Sequence, residues 1–245
     1  MSNAEENELK AYIQNSIDEN YEEIAYKNSN NGKICIYKHK DNNRKIVLRY
    51  SKNRNDEVFR SIRGKSAPNI EKILEVCSDD DCVIVIEEFI YGKSLLEIIE
   101  NEKISRKDAC RYAYQLCNAL EWLHGKGIIH RDLKPSNVII NEQNEAVLID
   151  LGIARKISQR IEKDTNSLGT IGYAAPEQFG LSQSSFQTDI YSLGVLLNIM
   201  LTGEHPALSE PKGALKRIIR KCTSTQISKR YKTAAALRRE LRFFI

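Results

Sequence analysis

The chain has 245 residues, with 37 Lys and Arg against 33 Asp and Glu for a net charge of +4; 41% of its side chains are hydrophobic and 29% charged. That length allows one large domain or two small ones and buries about 70–75% of the unfolded surface, enough for a sizeable core. The composition excludes a collagen-like repeat, a membrane bundle and a fully disordered chain.

The longest apolar runs, residues 83–86 and the stretch around 195–201, fall far short of the ~18 residues that cross a bilayer. The first ten residues carry Glu5, Glu6 and Glu8 and no apolar block, so no secretory signal is expected. Six cysteines show neither a CxxC pair nor a zinc spacing and read as reduced thiols of a cytoplasmic protein. Basic residues gather between 212 and 242. Solvated helix faces explain them, and no nucleic-acid partner and no membrane span is expected.

In chain order, Leu9, Ile13 and Ile17 recur at spacing four, which favours a helix over a loose tail in residues 1–20. Residues 34–39 and 45–50 flank Asp41-Asn42-Asn43 as a hairpin, and residues 73–77 and 82–89 flank residues 78–81 as a second. Residues 56–63 between them fit one short helix. From Gly92 the pattern turns helical. Ser94 with Glu97, and Ser105 with Asp108, are capping boxes; the second opens a helix that Gly125 ends. Residues 138–140 and 146–149 fit a small strand pair. Residues 189–201 fit an apolar helix stopped by Gly203, followed by amphipathic helices near 215–222 and 233–241. A sheet-rich front and a helix-rich back predict two lobes with a ligand cleft between them.

The chemistry concentrates in HRDLKPSN at residues 130–137. Asp150-Leu151-Gly152 follows at a strand end, then Gly169 to Tyr173, Ala175-Pro176-Glu177, Asp189 to Gly194, and Lys229-Arg230-Tyr231. In this order and with these gaps, the pieces resemble the eukaryotic-type (bacterial Hanks-type) serine/threonine protein kinase domain from about residue 21 to the C-terminus. The resemblance implies an α+β, bilobal protein kinase-like fold. Residues 1–20 are an N-terminal extension and 21–245 the kinase domain. Within it, a small lobe of β-sheet plus helix spans about 21–89, a hinge about 88–92, and a mainly helical lobe about 93–245. Only eight residues separate Pro206 from Leu215, so the αG region is shortened and the docking surface reduced.

The resemblance also assigns roles. Phosphoryl transfer from ATP asks a protein mainly for positioning and charge neutralisation. Asp132 matches the catalytic base and Lys134 the lysine that neutralises the transferring phosphate. Asn137 and Asp150 match the Mg²⁺ ligands, hard oxygen donors for a hard cation. His130 and Leu151 match packing positions, Thr170 the threonine that contacts the catalytic Asp, Glu177 with Arg230 a buried ion pair, and Asp189 a carboxylate that accepts catalytic-loop N–H groups. Lys134 and Thr170 place the substrate hydroxyl on a protein Ser or Thr. Autophosphorylation is expected at Thr165 or Ser167, with Arg131 able to receive the phosphate through a bidentate contact. The adenine is expected between Ile34 and Val47 above and Ile139 below, with backbone groups of Glu88 and Ile90 at its edge.

The nucleotide-binding front departs from the family. Of the glycine-rich loop, expected at residues 27–34, only Gly32 survives; Lys27 and Ser29 stand at the other two glycine positions. Lys27 or Lys33 is left to supply charge there. Arg49 replaces the lysine that bridges the α- and β-phosphates, an exchange that is not conservative. Its partner carboxylate is expected at Glu57. Glu87 falls at the gatekeeper position, usually apolar, where an unpaired buried charge is costly; a charged cluster of Glu87, Arg49 and Glu57 is expected, against the alternative of Glu87 turned to solvent. These departures keep open a pseudokinase, a nucleotide-binding scaffold or allosteric partner. A small-molecule phosphotransferase is the third reading, disfavoured by the Gly169–Tyr173 and Ala175–Glu177 segments.

Overall fold

The computed structural model describes residues 3–29, 32–51, 56–78, 82–157, 170–179 and 183–245. Ser158, Thr165 and Ser167 therefore lie outside the described residues. The chain divides into two compact units, Met1–Ser66 with Glu71–Ile90, and Ala67–Ile70 with Tyr91–Ile245.

The first unit begins with helix α1 (Asn3–Asn20) and strands β1 (Tyr21–Ser29), β2 (Gly32–His39) and β3 (Lys45–Ser51). Helix α2 (Asp56–Ile62) and strands β4 (Ile73–Ser78) and β5 (Val83–Glu88) complete it. The two hairpins expected from the turn residues are present. An edge strand, β1, was not foreseen, because Glu22, Glu23 and Lys27 hide its alternation. The sheet is antiparallel in the order β1-β2-β3-β5-β4. The helix expected in residues 1–20 forms and packs on the sheet. Ile13 and Ile17 are buried with Leu48, Cys77 and Ile84.

Pleating sends alternate residues to opposite faces. Leu48 and Ile84 meet α1. Arg49 pairs in register with Ile34 on one side and Val85 on the other, and Val47 with Ile36 and Glu87. Ile34, Val47, Arg49, Val85 and Glu87 therefore share the face opposite α1. Helix α2 packs on β4, where Arg60 spans from Asp56 to the Ser78 hydroxyl.

The second unit opens with the short strand β6 (Gly92–Ser94), then α3 (Leu95–Asn101) and α4 (Arg106–His124). Strands β7 (Ile128–Ile129), β8 (Val138–Asn141), β9 (Ala146–Leu148) and β10 (Arg155–Lys156) follow. Helices α5 (Phe186–Thr202), α6 (Ala214–Cys222) and α7 (Ala234–Leu241) close it. The Ser94 and Ser105 hydroxyls accept the Glu97 and Asp108 N–H groups, as the capping boxes predict. Gly203 ends α5 at φ 77°, left-handed as expected, whereas Gly125 caps α4 in right-handed geometry and Gly127 takes the positive φ of 72°.

Helix α4 is the axis of this unit, packed against α5, α7 and β9. Its Leu116, Cys117, Leu120 and Leu123 are fully buried. Helix α5 meets α6 closely: a Cβ on Gly194 would lie 2.3 Å from Cys222 Cβ. No helix lies between Thr202 and Ala214, all described, which is the shortened αG region. Among the described residues, no helix is long and apolar enough to cross a membrane.

Ile17, 3% exposed, anchors α1 to the sheet. Truncating a buried Ile typically costs about 2–5 kcal/mol. Ile17→Ala should lower the urea midpoint accordingly; an unchanged midpoint would show that α1 contributes nothing to the first unit.

Candidate active site

In the second unit the site is built around one buried carboxylate. Asp189, near the start of α5, is fully buried. Its Oδ2 accepts the His130 backbone N–H (2.9 Å) and its Oδ1 the Arg131 N–H (2.8 Å). His124 Nε2, at the end of α4, donates to Oδ2 from 2.8 Å and stacks on Phe186. Burial alone would push the Asp189 carboxyl up; the His124 hydrogen bond, the nearby His124 and His130 charges and the Arg131 N–H outweigh it and hold the pKa below the ordinary 3.8.

That anchor fixes the loop that carries Asp132. Arg131 adopts φ 67°, a conformation disfavoured for a side-chain-bearing residue. Gln178 Nε2 donates to the Arg131 carbonyl (2.8 Å), and Arg131 Nε donates to the Ile153 carbonyl (2.8 Å). Asp150 is likewise left-handed, at φ 70°, and its Oδ1 accepts the Gly152 N–H at 3.0 Å. Strained backbone at two candidate site residues is held by specific hydrogen bonds on either side.

Asp132, Lys134, Asn137 and Thr170 form one hydrogen-bonded group. Asn137 Nδ2 donates to the Asp132 carbonyl (2.9 Å) and to Oδ2 (3.0 Å). Lys134 Nζ lies 2.7 Å from Asp132 Oδ2 and donates to Thr170 Oγ1 (2.9 Å), whose hydroxyl donates to Asp132 Oδ1 (2.8 Å). The Ile149 N–H donates to the Asn137 carbonyl (2.9 Å), which brings Asp150 alongside Asn137. The amide nitrogen of Asn137 faces Asp132, so its oxygen is the end suited to a cation. An amide oxygen and a carboxylate fit Mg²⁺, which keeps waters and phosphate oxygens for its other positions. Among the described residues no set of three His, Cys, Asp or Glu could hold a metal alone. Ile139 is partly exposed on β8, paired with Val147.

Glu177 and Arg230 form the expected buried pair, Nη1 to Oε1 at 2.6 Å and Nη2 to Oε2 at 2.8 Å. Thr188 donates to Glu177 Oε1, and Arg230 also donates to the Ser224 and Gln187 carbonyls. Burial raises the Glu177 carboxyl, but the Arg230 hydrogen bonds and charge bring its pKa below 4.5.

In the first unit, Arg49 and Glu87 are paired rather than turned to solvent. Nε lies 2.7 Å from Oε1 and Nη2 3.3 Å from Oε2, with side chains 10% and 2% exposed. Glu57, on the first turn of α2, is exposed. Lys33 donates to Glu23 at 2.9 Å, which pushes its pKa to about 12. Gly32 has a reason that the loop pattern did not supply: at φ 146° it lets the start of β2 lie close against the end of β3, where a Cβ would meet the Tyr50 carbonyl oxygen at 1.8 Å. The Glu88 N–H donates to the Lys72 carbonyl (2.9 Å), which narrows any ligand contact of Glu88 to its carbonyl oxygen. Ile90 is partly exposed at the end of this unit.

Sequence reasoning missed His124 and Gln178. Their places in the chain, six residues before His130 and directly after Glu177, do not by themselves mark contacts to Asp189 and the Arg131 carbonyl.

Removing one partner of a buried ion pair typically costs about 3–5 kcal/mol, whereas replacing both by apolar groups is often neutral. Arg230→Met should therefore destabilise strongly and Arg230→Met with Glu177→Leu should recover most of the loss, read by urea unfolding. Glu177 and Asp189 are both depressed carboxyls, so their stabilisation is present at neutral pH and is lost as the pH falls below the ordinary values of 4.5 and 3.8. The double variant should lose less stability on acidification; equal acid sensitivity would contradict the Glu177 assignment.

A family model described as the protein kinase domain matches residues 24–245. The chain is 35% identical over 167 residues to a probable serine/threonine-protein kinase of Clostridium perfringens, covering 67% of this chain and 24% of that protein. It is 32% identical over 169 residues to the serine/threonine-protein kinase PrkC of Bacillus subtilis, covering 65% and 26%. It is also 33% identical over 147 residues to the human hormonally up-regulated neu tumor-associated kinase, covering 59% and 21%. The chain thus spans about a quarter of the length of these relatives. The family uses ATP and a divalent metal, and the chain belongs to it as a Hanks-type serine/threonine protein kinase domain.

Proposed function

We propose that this chain transfers the γ-phosphate of Mg-ATP to Ser or Thr hydroxyls of proteins. The observation that carries the reading is the Asp132–Lys134–Asn137–Thr170 group, held by the Asp189 clamp. Asp132 orients the substrate hydroxyl and accepts its proton as the oxygen attacks phosphorus. Lys134, already beside Asp132, neutralises charge on the transferring phosphoryl group. Asn137 and Asp150 hold Mg²⁺, which, when bound, supplies charge neutralisation and alignment of the phosphates. Thr170 fixes Asp132 Oδ1, while Asn137 holds Oδ2. Ile34, Val47, Ile139, the Glu88 carbonyl and the Ile90 backbone take the adenine, with Gly32, Arg49 and Glu57 serving the phosphate end. Residues 21–245 act as the kinase domain, with residues 1–20 as an extension. The six free cysteines fit a reducing, cytoplasmic setting.

The second reading is a pseudokinase, favoured by one observation: the Arg49 guanidinium is engaged by Glu87. Two measurements separate the readings. Mg-ATP should raise the melting temperature, and wild type should transfer γ-phosphate to a generic Ser/Thr substrate. Asp132→Asn should lower transfer by about 10²–10⁴-fold, the usual worth of a positioned base. A thermal shift without transfer means pseudokinase; no shift means that nucleotide binding itself is absent. Mass spectrometry after incubation with Mg-ATP should find phosphate on Thr165 or Ser167 in wild type and not in Asp132→Asn; its absence from both residues in wild type ends the autophosphorylation proposal.

A further inference from the structure

We propose that Glu87 is a positioning residue for the nucleotide: it sets the pose of Arg49, and ATP use depends on its carboxylate. The inference rests on the kinase reading above and assigns a role within the same site.

The two residues lie on adjacent strands, β3 and β5. Glu87 is opposite Val47, and Arg49 is two residues along on the same face, so the pair is diagonal, within reach of long side chains. The guanidinium presents two adjacent edges, Nε and Nη2, to the two carboxylate oxygens. Such a fork fixes the plane of the guanidinium as well as its distance. A lysine ammonium makes no equivalent two-point contact. The arginine at this position and the carboxylate at Glu87 are therefore one unit, and each departure from the family pattern accounts for the other.

The anchor is also rigid. Glu87 is paired in register with Val47 of β3 and with Ile73 of β4. It is thus held inside the sheet by neighbours on both sides and is 1% exposed. The face that carries Arg49 also carries Ile34 and Val47, the residues proposed to take the adenine. A cation fixed on that face by a central strand is aimed before nucleotide arrives, which is what preorganised charge requires.

The same pairing carries a cost for the nucleotide. Phosphate oxygens and the Glu87 carboxylate draw on one guanidinium, so ATP binds a cation whose charge is already partly balanced. Orientation, rather than full charge, is what Arg49 delivers.

Steady-state phosphoryl transfer on the full chain tests the proposal. Glu87→Gln keeps the size and one acceptor but abolishes the charged two-point contact. It should lower kcat/KM for ATP at least tenfold while kcat/KM for a generic peptide substrate at saturating ATP falls less. In an Arg49→Lys background, the Glu87→Gln change should have less than a threefold effect, because its route through the fork is already gone. A Glu87→Gln enzyme within twofold of wild type overturns the proposal. So does an equal fold-loss in both backgrounds, which would place the action of Glu87 outside Arg49. If Glu87→Gln fails to fold, Glu87→Asp, which keeps the charge and withdraws the oxygens, carries the same test with the same limits. Failure of the kinase reading looks different: wild type then transfers no phosphate. In that case Mg-ATP-induced thermal shifts decide on Glu87, with a shift in wild type that is lost in Glu87→Gln supporting the positioning role and equal shifts, or none in either, overturning it.

Discussion

The second unit depends on the burial of one charge. Asp189 has no exposure, and a carboxylate in that setting persists only if both of its oxygens are hydrogen-bonded. The donors are the His130 and Arg131 N–H groups and the His124 ring. The end of α4 and the loop at residues 130–137, close to each other in sequence, are thereby tied to the start of α5 about 60 residues on. The loop's strained Arg131 follows from that tie, because two successive N–H groups reach one carboxylate only if the chain turns sharply between them. Asp132 then emerges where Asn137, Lys134 and Thr170 can each touch it.

Buried ion pairs recur as the means by which this chain holds functional side chains. Glu177–Arg230 ties the segment after residue 170 to the late helices, and Arg49–Glu87 lies within the first sheet. Such pairs are weak sources of net stability, since desolvation offsets attraction. Their value is geometric: a forked contact allows one orientation where apolar packing allows several. Both pairs here are bidentate, which fits a role in placing groups.

Much of this was legible in the sequence, for identifiable reasons. Ser94 and Ser105 announce helix starts because a hydroxyl three residues before a free N–H has one low-energy use. The hairpins follow from Asp41-Asn42-Asn43 and the alternation around it. The site residues follow from the spacing of HRDLKPSN and Asp150. The Arg49–Glu87 contact was legible because a carboxylate inside an apolar strand demands a cation. Less legible was β1, whose charged residues conceal its pattern as an edge strand. The role of Gly32 was also hidden, since its close approach is to a backbone carbonyl on a neighbouring strand, a tertiary fact. His124 and Gln178 act on backbone and carboxylate groups brought near only by folding, so spacing along the chain does not mark them.

The central claim is that Asn137 and Asp150 share a cation beside Asp132. A crystal structure with Mg²⁺ and a non-hydrolysable ATP analogue tests it most directly. The account predicts one Mg²⁺ at about 2.0–2.1 Å from Asn137 Oδ1 and an Asp150 carboxylate oxygen, also bound to phosphate oxygens, with Asp132 near the terminal phosphate. Nucleotide bound with its metal away from Asn137 and Asp150, or with Asp132 turned from the phosphates, would contradict it.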